Sequence, residues 1–377
     1  MAISLDNICP AILTSLGDNM INNPANVKIN GGMLSALHDP SNLAAGKIIR
    51  ESNNDGTGHS KKVRIVYKQR MLEEEVLEEK TCSTNNVPVY SENDLEVTKF
   101  KSIPFKMTEE QLRVYCAMYS ELVTIAGAGT PEQIVARANE LGAASGALSV
   151  ARELFSDFAL ASEALIQSIN KELLTAALGS VGSWVGGNPT NTYQVQNLDG
   201  SIDPSGLFQM TQDYTITGFN GAPLIVGPAG ALHQVWLKDS RFFGQAANGI
   251  NFSAVRDNTG IAQYYYDQNA AGVFEDANAA LVFAPGSLLY VPYIQYTGNY
   301  GKIGTMWRMS MPMPNMPQVQ IDCRILPDEC GEFYTVWLEA YFELYGAPLT
   351  MFPTGDYLEG VNGVFGASFT KAVAPTP

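Results

Sequence analysis

Charge is scarce in this chain, and positive charge is scarcest. Asp, Glu, Lys and Arg make up 16% of its 377 residues, against about 25% in an average soluble domain. Lys and Arg together number 23, Asp and Glu 38, and the net charge is −15. Gripping nucleic acid by neutralising phosphates requires clustered cations. A chain that holds DNA tightly is therefore excluded, whereas one that surrounds DNA without adhering to it is allowed. Histidine is almost absent, with only His38, His59 and His233. His-Glu-x-x-His and Gly-x-Ser-x-Gly are both missing, and a triad would have to recruit one of those three side chains, so the sequence predicts no enzyme. The five cysteines, Cys9, Cys82, Cys116, Cys323 and Cys330, are scattered and odd in number, which fits folding in a reducing compartment. Cys323 and Cys330 are separated by six residues with no histidine nearby, unlike the paired ligands of a zinc site. They read as buried free thiols beside solvated acids. Gly127-Ala128-Gly129 resembles the start of a dinucleotide loop, but Glu132 at the third glycine position would repel a pyrophosphate. No cofactor and no metal site is expected.

Long apolar runs are missing too. The most apolar stretch, 280–293, is broken by Pro285 and Gly286 and is too short to cross a bilayer. The first twenty residues contain Asp6 and Asp18 and lack the basic start and apolar run of a signal peptide. No membrane partner is expected, and the chain is expected to fold in the cytoplasm. Hydrophobic residues nevertheless reach 46%. Little charge, many apolar residues and no membrane span together imply that much of the surface is covered, most simply by copies of the same chain.

Residues 1–45 carry Asn23-Pro24, Gly31-Gly32 and Asp39-Pro40 and read as an extended arm with little core of its own. From 46 to 105 the pattern changes. Val63, Ile65 and Tyr67 alternate with Lys62, Arg64 and Lys68, a strand with one apolar and one basic face, and Asn53-Asn54-Asp55-Gly56 supplies turn chemistry before it. The cations Lys61, Lys62, Arg64, Lys68 and Arg70 are followed by the anions Glu73, Glu74, Glu75, Glu78 and Glu79, and a second β-like run covers 87–101. The reading is a long charged β-hairpin projecting from the body. An isolated hairpin is marginal in water, so it needs a surface to lie on.

Helices dominate next. Thr108 with Gln111 forms a capping box before an amphipathic run to Ala126. Thr130-Pro131-Glu132-Gln133 is a second helix start. Residues 148–178 contain no Gly or Pro, and Phe155, Phe158, Leu165, Ile169 and Leu173 mark one stripe. Such a helix is about 46 Å long, stiff enough to act as a spine. Gly179, Gly182, Gly186 and Gly187 read as a flexible connector. Beyond them the chain reads as mostly β, with turns at Asn188-Pro189, Asp199-Gly200, Asp203-Pro204 and Asn220-Gly221. A buried strand is expected over 222–226, a helix over 229–241, strands over 280–284 and 288–296, and an aromatic run over 333–345. Met306, Met309, Met311, Met313 and Met316 are interleaved with Pro312, Pro314 and Pro317; proline excludes a central strand and predicts an edge strand or extended segment.

This order of parts resembles the HK97-type fold of tailed-phage and herpesvirus capsids. The likeness rests on the 47–105 hairpin and on helix 148–178 closed by Ala176-Ala177-Leu178-Gly179. It rests also on Ala222-Pro223-Leu224-Ile225-Val226-Gly227-Pro228, on the helix-like Leu232-His233-Gln234-Val235-Trp236-Leu237-Lys238-Asp239-Ser240-Arg241, and on Ala284-Pro285-Gly286. It covers most of the chain and is a likeness of layout, without a diagnostic short motif. It implies an α+β capsid fold divided into an N-terminal arm (1–45), an extended loop (46–105) and a peripheral domain with its spine helix (106–221). An axial domain (222–325) and return strands (326–377) complete it. The implied function is that of a major capsid protein of a tailed bacteriophage. It would assemble in the host cytoplasm into hexamers and pentamers of an icosahedral shell, and enclose double-stranded DNA without sequence-specific binding. The implied partners are other copies, scaffolding and portal proteins, and cement proteins. The implied inter-subunit contact is the hairpin, its basic half pairing with its acidic half across the seam. An encapsulin-type nanocompartment shell and a phage tail or baseplate component remain alternatives.

Overall fold

The structure is a computed structural model. It describes residues 31–43, 47–52, 59–68, 90–108, 147–184, 187–217, 219, 222–235, 263–295, 301–303, 306–313, 316–328, 333–346 and 363–373. Both helices expected between 109 and 146 lie outside these residues, as do Cys9, Cys82, Cys116 and Cys330.

Three sheets and one long helix organise the described residues. Strands β1 (Lys47–Ser52), β2 (His59–Lys68) and β3 (Tyr90–Glu96) form an antiparallel ribbon in the order β1-β2-β3. The expected two-stranded hairpin is thus three-stranded, because the turn-rich 53–58 joins β1 to β2 and Ser52 pairs with His59. After two residues the chain enters β4 (Lys99–Thr108), which belongs to the body.

Helix α3 (Ala147–Leu178) has the expected extent. Phe158, Leu165, Ile166, Ile169, Leu173, Leu174 and Ala177 recur at three and four and are all buried, the apolar stripe that fixes a helix on a core. It lies on β4 and on β13 (Phe333–Gly346), with Phe105 edge-on to Phe158 at 4.8 Å. Strand β13 pairs along one edge with all of β4 through Phe342. Along its other edge it pairs first with β12 (Met316–Pro327), then with β9 (Leu288–Tyr293). Outside β12 lie β11 (Met306–Met313) and the three-residue β10 (Gly301–Ile303). The methionine-rich segment is therefore a paired strand, and the proline rule survives locally. Strand β10 reaches only to Arg308 along β11, so Pro312 lies beyond the stretch that needs donors on both sides.

The third sheet runs β5-β14-β8-β6-β7. Its strands are β5 (Thr190–Gln196), β14 (Val364–Lys371), β8 (Ala279–Phe283), β6 (Leu224–Gly227) and β7 (Gln263–Tyr266). Strand β6 is buried throughout, as its apolar run predicts, and 231–235 is helical. Residues 236–241 of that expected helix lie outside the described residues. The connector after α3 is tied down: Gly182 N–H donates to Val364 O (2.9 Å), and the Trp184 indole donates to Gly366 O (2.7 Å) while stacking on Phe365. It is thus held along 179–184.

Two expectations are corrected. Asp203-Pro204 is not a turn between strands but the start of helix α4 (Pro204–Ile216), with Asp203 accepting from Ser205 N–H and Pro204 in the first turn. The glycine at 206 allows the helix to lie on β5, because a Cβ there would meet Gln194 O at 1.9 Å. Residues 31–43 are not an arm without core. They form α1 (Gly32–Leu37) and α2 (Pro40–Leu43), and Met33, Leu34, Ala36 and Leu37 are fully buried against α3, β6, β7 and β9. An apolar quartet outweighs the breaking tendency of Gly31-Gly32, and Gly32 is required because Tyr266 O would stand 2.4 Å from a Cβ. Residues 1–30 of the expected arm lie outside the described residues.

Candidate assembly surface

The ribbon meets its own body at its base. Val63, Ile65 and Val97 pack against Leu289 and Val291 of β9, with Leu95, Tyr293, Tyr341 and Tyr345 around them. Lys61 Nζ lies 4.7 Å above the Tyr341 ring, a cation–π contact. Where the chain leaves the ribbon, Thr98 Oγ1 donates to Glu343 Oε2 (2.8 Å), and Lys99 pairs with Glu343 (3.3 Å).

Period-two alternation puts Lys62 and Arg64 on the face opposite Val63 and Ile65, and the antiparallel register brings β3 alongside. Lys62 stands opposite Glu96 and Arg64 opposite Asp94. Arg64 Nε donates to Asp94 Oδ1 (3.1 Å) and Nη1 to Glu92 Oε2 (3.3 Å). The basic row of β2 thus meets an acidic row that the sequence reading did not single out. Glu92, Asp94 and Glu96 alternate with Asn93, Leu95 and Val97, which is the pattern that identifies the row. Lys68 closes β2 opposite Tyr90. Arg70, Glu73, Glu74, Glu75, Glu78 and Glu79 lie outside the described residues, so the pairing expected between the basic and acidic halves lies outside them as well.

A second polar cluster fixes the N-terminal segment. Asp267, at the end of β7, accepts from Met33 N–H (3.0 Å) and from the Asn170 amide (2.5 Å) on one oxygen, and from Asn269 N–H (2.8 Å) on the other. Asn170 of α3 in turn accepts from Leu34 N–H (3.0 Å). Burial pushes the Asp267 carboxyl above its ordinary value against the opposing pull of these donors. Asn42 donates to Leu37 O and Leu288 O and accepts from Gly286 N–H. Tyr265 O–H donates to Asp39 (2.6 Å). Residues 31–43 are therefore an anchor joining α3, β7 and β9.

The remaining chemically notable residues are structural. His38 packs its ring on Tyr290, with Nδ1 2.8 Å from Leu34 O, and burial lowers its pKa. His233 stacks on Tyr266 at 4.3 Å, and its Nδ1 has no hydrogen-bond partner among the described residues. Cys323 is a buried free thiol whose pKa burial raises. The neighbouring Asp322 is not solvated: it is 1% exposed and accepts from Gln295 N–H (2.8 Å), stitching β9 to β12 along the edge they share. Glu339, cross-strand from Asp322, is held by Arg324 at 2.6 Å. Among the described residues no group of three His, Cys, Asp or Glu side chains is placed to hold a metal, and no helix is long and apolar enough to cross a membrane.

No protein-family model matches the sequence, and no curated protein matches it. Solved structures do resemble it. The capsid asymmetric unit of cyanophage A-1(L) is 12% identical, with a TM-score of 0.46 over 91% of this chain and 96% of that one. A chain of Mycobacterium phage Che8 is 12% identical, with a TM-score of 0.32 over 92% and 89%. A virus-like particle from Pyrococcus furiosus is 8% identical, with a TM-score of 0.35 over 76% and 82%.

Proposed function

We propose that this chain is the major capsid protein of a tailed bacteriophage, built on an HK97-like plan. Copies would assemble into the hexamers and pentamers of an icosahedral shell that encloses double-stranded DNA. The observation that carries the reading is the ribbon's attachment. Three strands, two of them ending at a connection of 21 residues (69–89), are secured to the body by Val63, Ile65 and Val97 on Leu289 and Val291. Such a small apolar anchor holds the base and leaves the distal part to find its burial on another copy.

In this reading 46–105 is the extended loop, α3 is the spine of a peripheral domain, and the sheet containing β6 and β8 belongs to the axial domain. Residues 1–30 are the arm that reaches a neighbour, with 31–43 as its root. Lys61, Lys62, Arg64, Lys68 and Arg70, with Glu73, Glu74, Glu75, Glu78 and Glu79, form the seam. Arg64 is already engaged by Glu92 and Asp94, so it orders the ribbon, while the later acids offer the charge that reaches across. Each exposed pair contributes only about 0–1 kcal/mol; repetition over every seam of a shell makes the sum matter. The net charge of −15 suits a wall that must not adhere to its contents. Scaffolding, portal and cement proteins are the further partners this plan implies, and the virion is its location.

The test is charge reversal. Replacing Glu73, Glu74, Glu75, Glu78 and Glu79 together by Lys leaves the described core untouched and should abolish closed particles in light scattering and microscopy. Normal particles from that variant would remove the seam from the account.

A further inference from the structure

Between Lys171 and Lys238 the chain contains no Lys or Arg. This cation-free stretch includes β5, the edge strand of the five-stranded sheet, and α4, which lies on it. The inner face of α4 is conventional: Leu207, Met210 and Tyr214 are buried. The outer face is not. Ser205, Phe208, Gln209, Gln212, Thr215 and Ile216 are exposed, and none carries a charge. Phe208 and Ile216, 45% and 51% exposed, are eight residues apart with Gln212 midway, which aligns all three along one side of the helix.

The acids in this stretch are turned to local work. Asp199 accepts from Ser201 (2.6 Å from its hydroxyl), Asp203 caps α4, and Asp213 accepts from Tyr193 O–H (2.8 Å). Two more exposed apolar side chains adjoin the same margin. Leu198, 54% exposed, follows the end of β5, and Val373, 89% exposed, follows Ala372, whose N–H donates to Gln196 O. Four of the eight large exposed hydrophobics among the described residues thus lie along one border of one sheet, where scattered singles would need no explanation.

We propose that this border, α4 with the β5–β14 end, is a contact face for a second copy of the chain. Charge selects the occupant. The face carries one cation, Lys371 at the end of β14, too little positive charge to hold nucleic acid or an anionic membrane. Two chains of net charge −15 meet at lowest cost where neither offers an unpaired acid, since like charges brought together at an interface are penalised. Depletion of charge with an apolar centre and uncharged polar surroundings is the composition of an interface core. In a ring of identical subunits such a face meets a different surface of its neighbour and generates a closed turn. The inference rests on the shell reading and adds a second seam, apart from the ribbon.

The experiment is the double substitution Phe208→Lys, Ile216→Lys in the full chain. Both side chains are exposed, so circular dichroism and melting temperature should match the parent. Each loses roughly a half-buried apolar contact, about tenfold in association, so the concentration for half-assembly should rise about a hundredfold. Alongside it, Phe208→Cys places a thiol on the face. Its labelling by a maleimide, above the background of the native cysteines, should be fast in dissociated subunits and blocked in assembled ones. Assembly of the double variant at the parent's concentration, or equal labelling in both states, would overturn the proposal while leaving the shell reading intact. Labelling blocked only when a second protein is co-expressed would assign the face to that protein and overturn it too. A parent chain that never assembles would remove the shell reading and this inference together.

Discussion

Ile65→Ala measures how firmly the ribbon is seated. Ile65 is fully buried and belongs to a cluster whose other buried members among the described residues are Val63, Val97, Leu289 and Val291. The substitution removes three carbon groups, about 2.4 kcal/mol at about 0.8 kcal/mol each, and leaves a partly collapsed cavity that adds to the loss. About 3 kcal/mol follows, or about a hundredfold in the equilibrium between seated and released ribbon. Because the cluster contacts the body only at β9 and the adjoining end of β13 (Tyr341 and Tyr345), the loss is local: β1 to β3 open as a unit while α3 and the sheet around β13 remain folded. Native-state hydrogen exchange is the assay. Amides of Lys62 through Val66, bonded within the ribbon, should exchange about a hundredfold faster than in the parent, with those of 165–174 in α3 unchanged. Unchanged exchange in β2 would show that something other than this cluster holds the ribbon. Equal acceleration in α3 would show that ribbon and body unfold together, and the idea of a separately seated ribbon would fail.

Three further outcomes are expected. Arg64→Ala breaks two exposed ion pairs at 3.1 and 3.3 Å and should lower subunit stability by less than about 1 kcal/mol; a loss above about 2 kcal/mol in a denaturant titration would contradict the surface assignment. Asp267→Asn keeps size but offers one acceptor where both oxygens accept from N–H donors. It should cost about 1–3 kcal/mol and expose residues 31–43 to protease, and an uncleaved, equally stable variant would argue against the anchor. His38 has its pKa lowered by burial, so on acidification the unfolded chain takes up the proton first and stability falls as pH drops through about 6.5. His38→Gln should flatten the stability profile between pH 7 and 5, and an unaltered slope would remove His38 from that dependence.

Much of this architecture was readable from residue pattern, and the failures have physical causes. Helix α3 was legible because thirty-two residues without Gly or Pro carry an apolar stripe at helical spacing. Strand β6 was legible as an apolar run bounded by Pro223 and Pro228. Helix α4 was misread because Asp203-Pro204 serves equally as a turn and as an N-cap followed by proline, and because outward-facing Phe208 and Ile216 blur its periodicity. The anchor at 31–43 was misread because its glycine answers to Tyr266, 234 residues away in sequence, a tertiary demand that local propensity cannot express. At the seam, alternation located Lys62 and Arg64 on one face, but their partners on β3 depend on the register of two strands joined by a long connection. Cys323 was recognised as buried, whereas the burial of Asp322 beside it comes from β9 arriving in line with β12.

Negative-stain electron microscopy of the chain expressed by itself tests the central claim most directly. Closed, uniform shells that loosen as salt rises are the predicted image. A field of single compact particles at every concentration, stable on dilution and with the ribbon protected from exchange along its whole length, would mean that one copy buries everything it needs and that no shell is built.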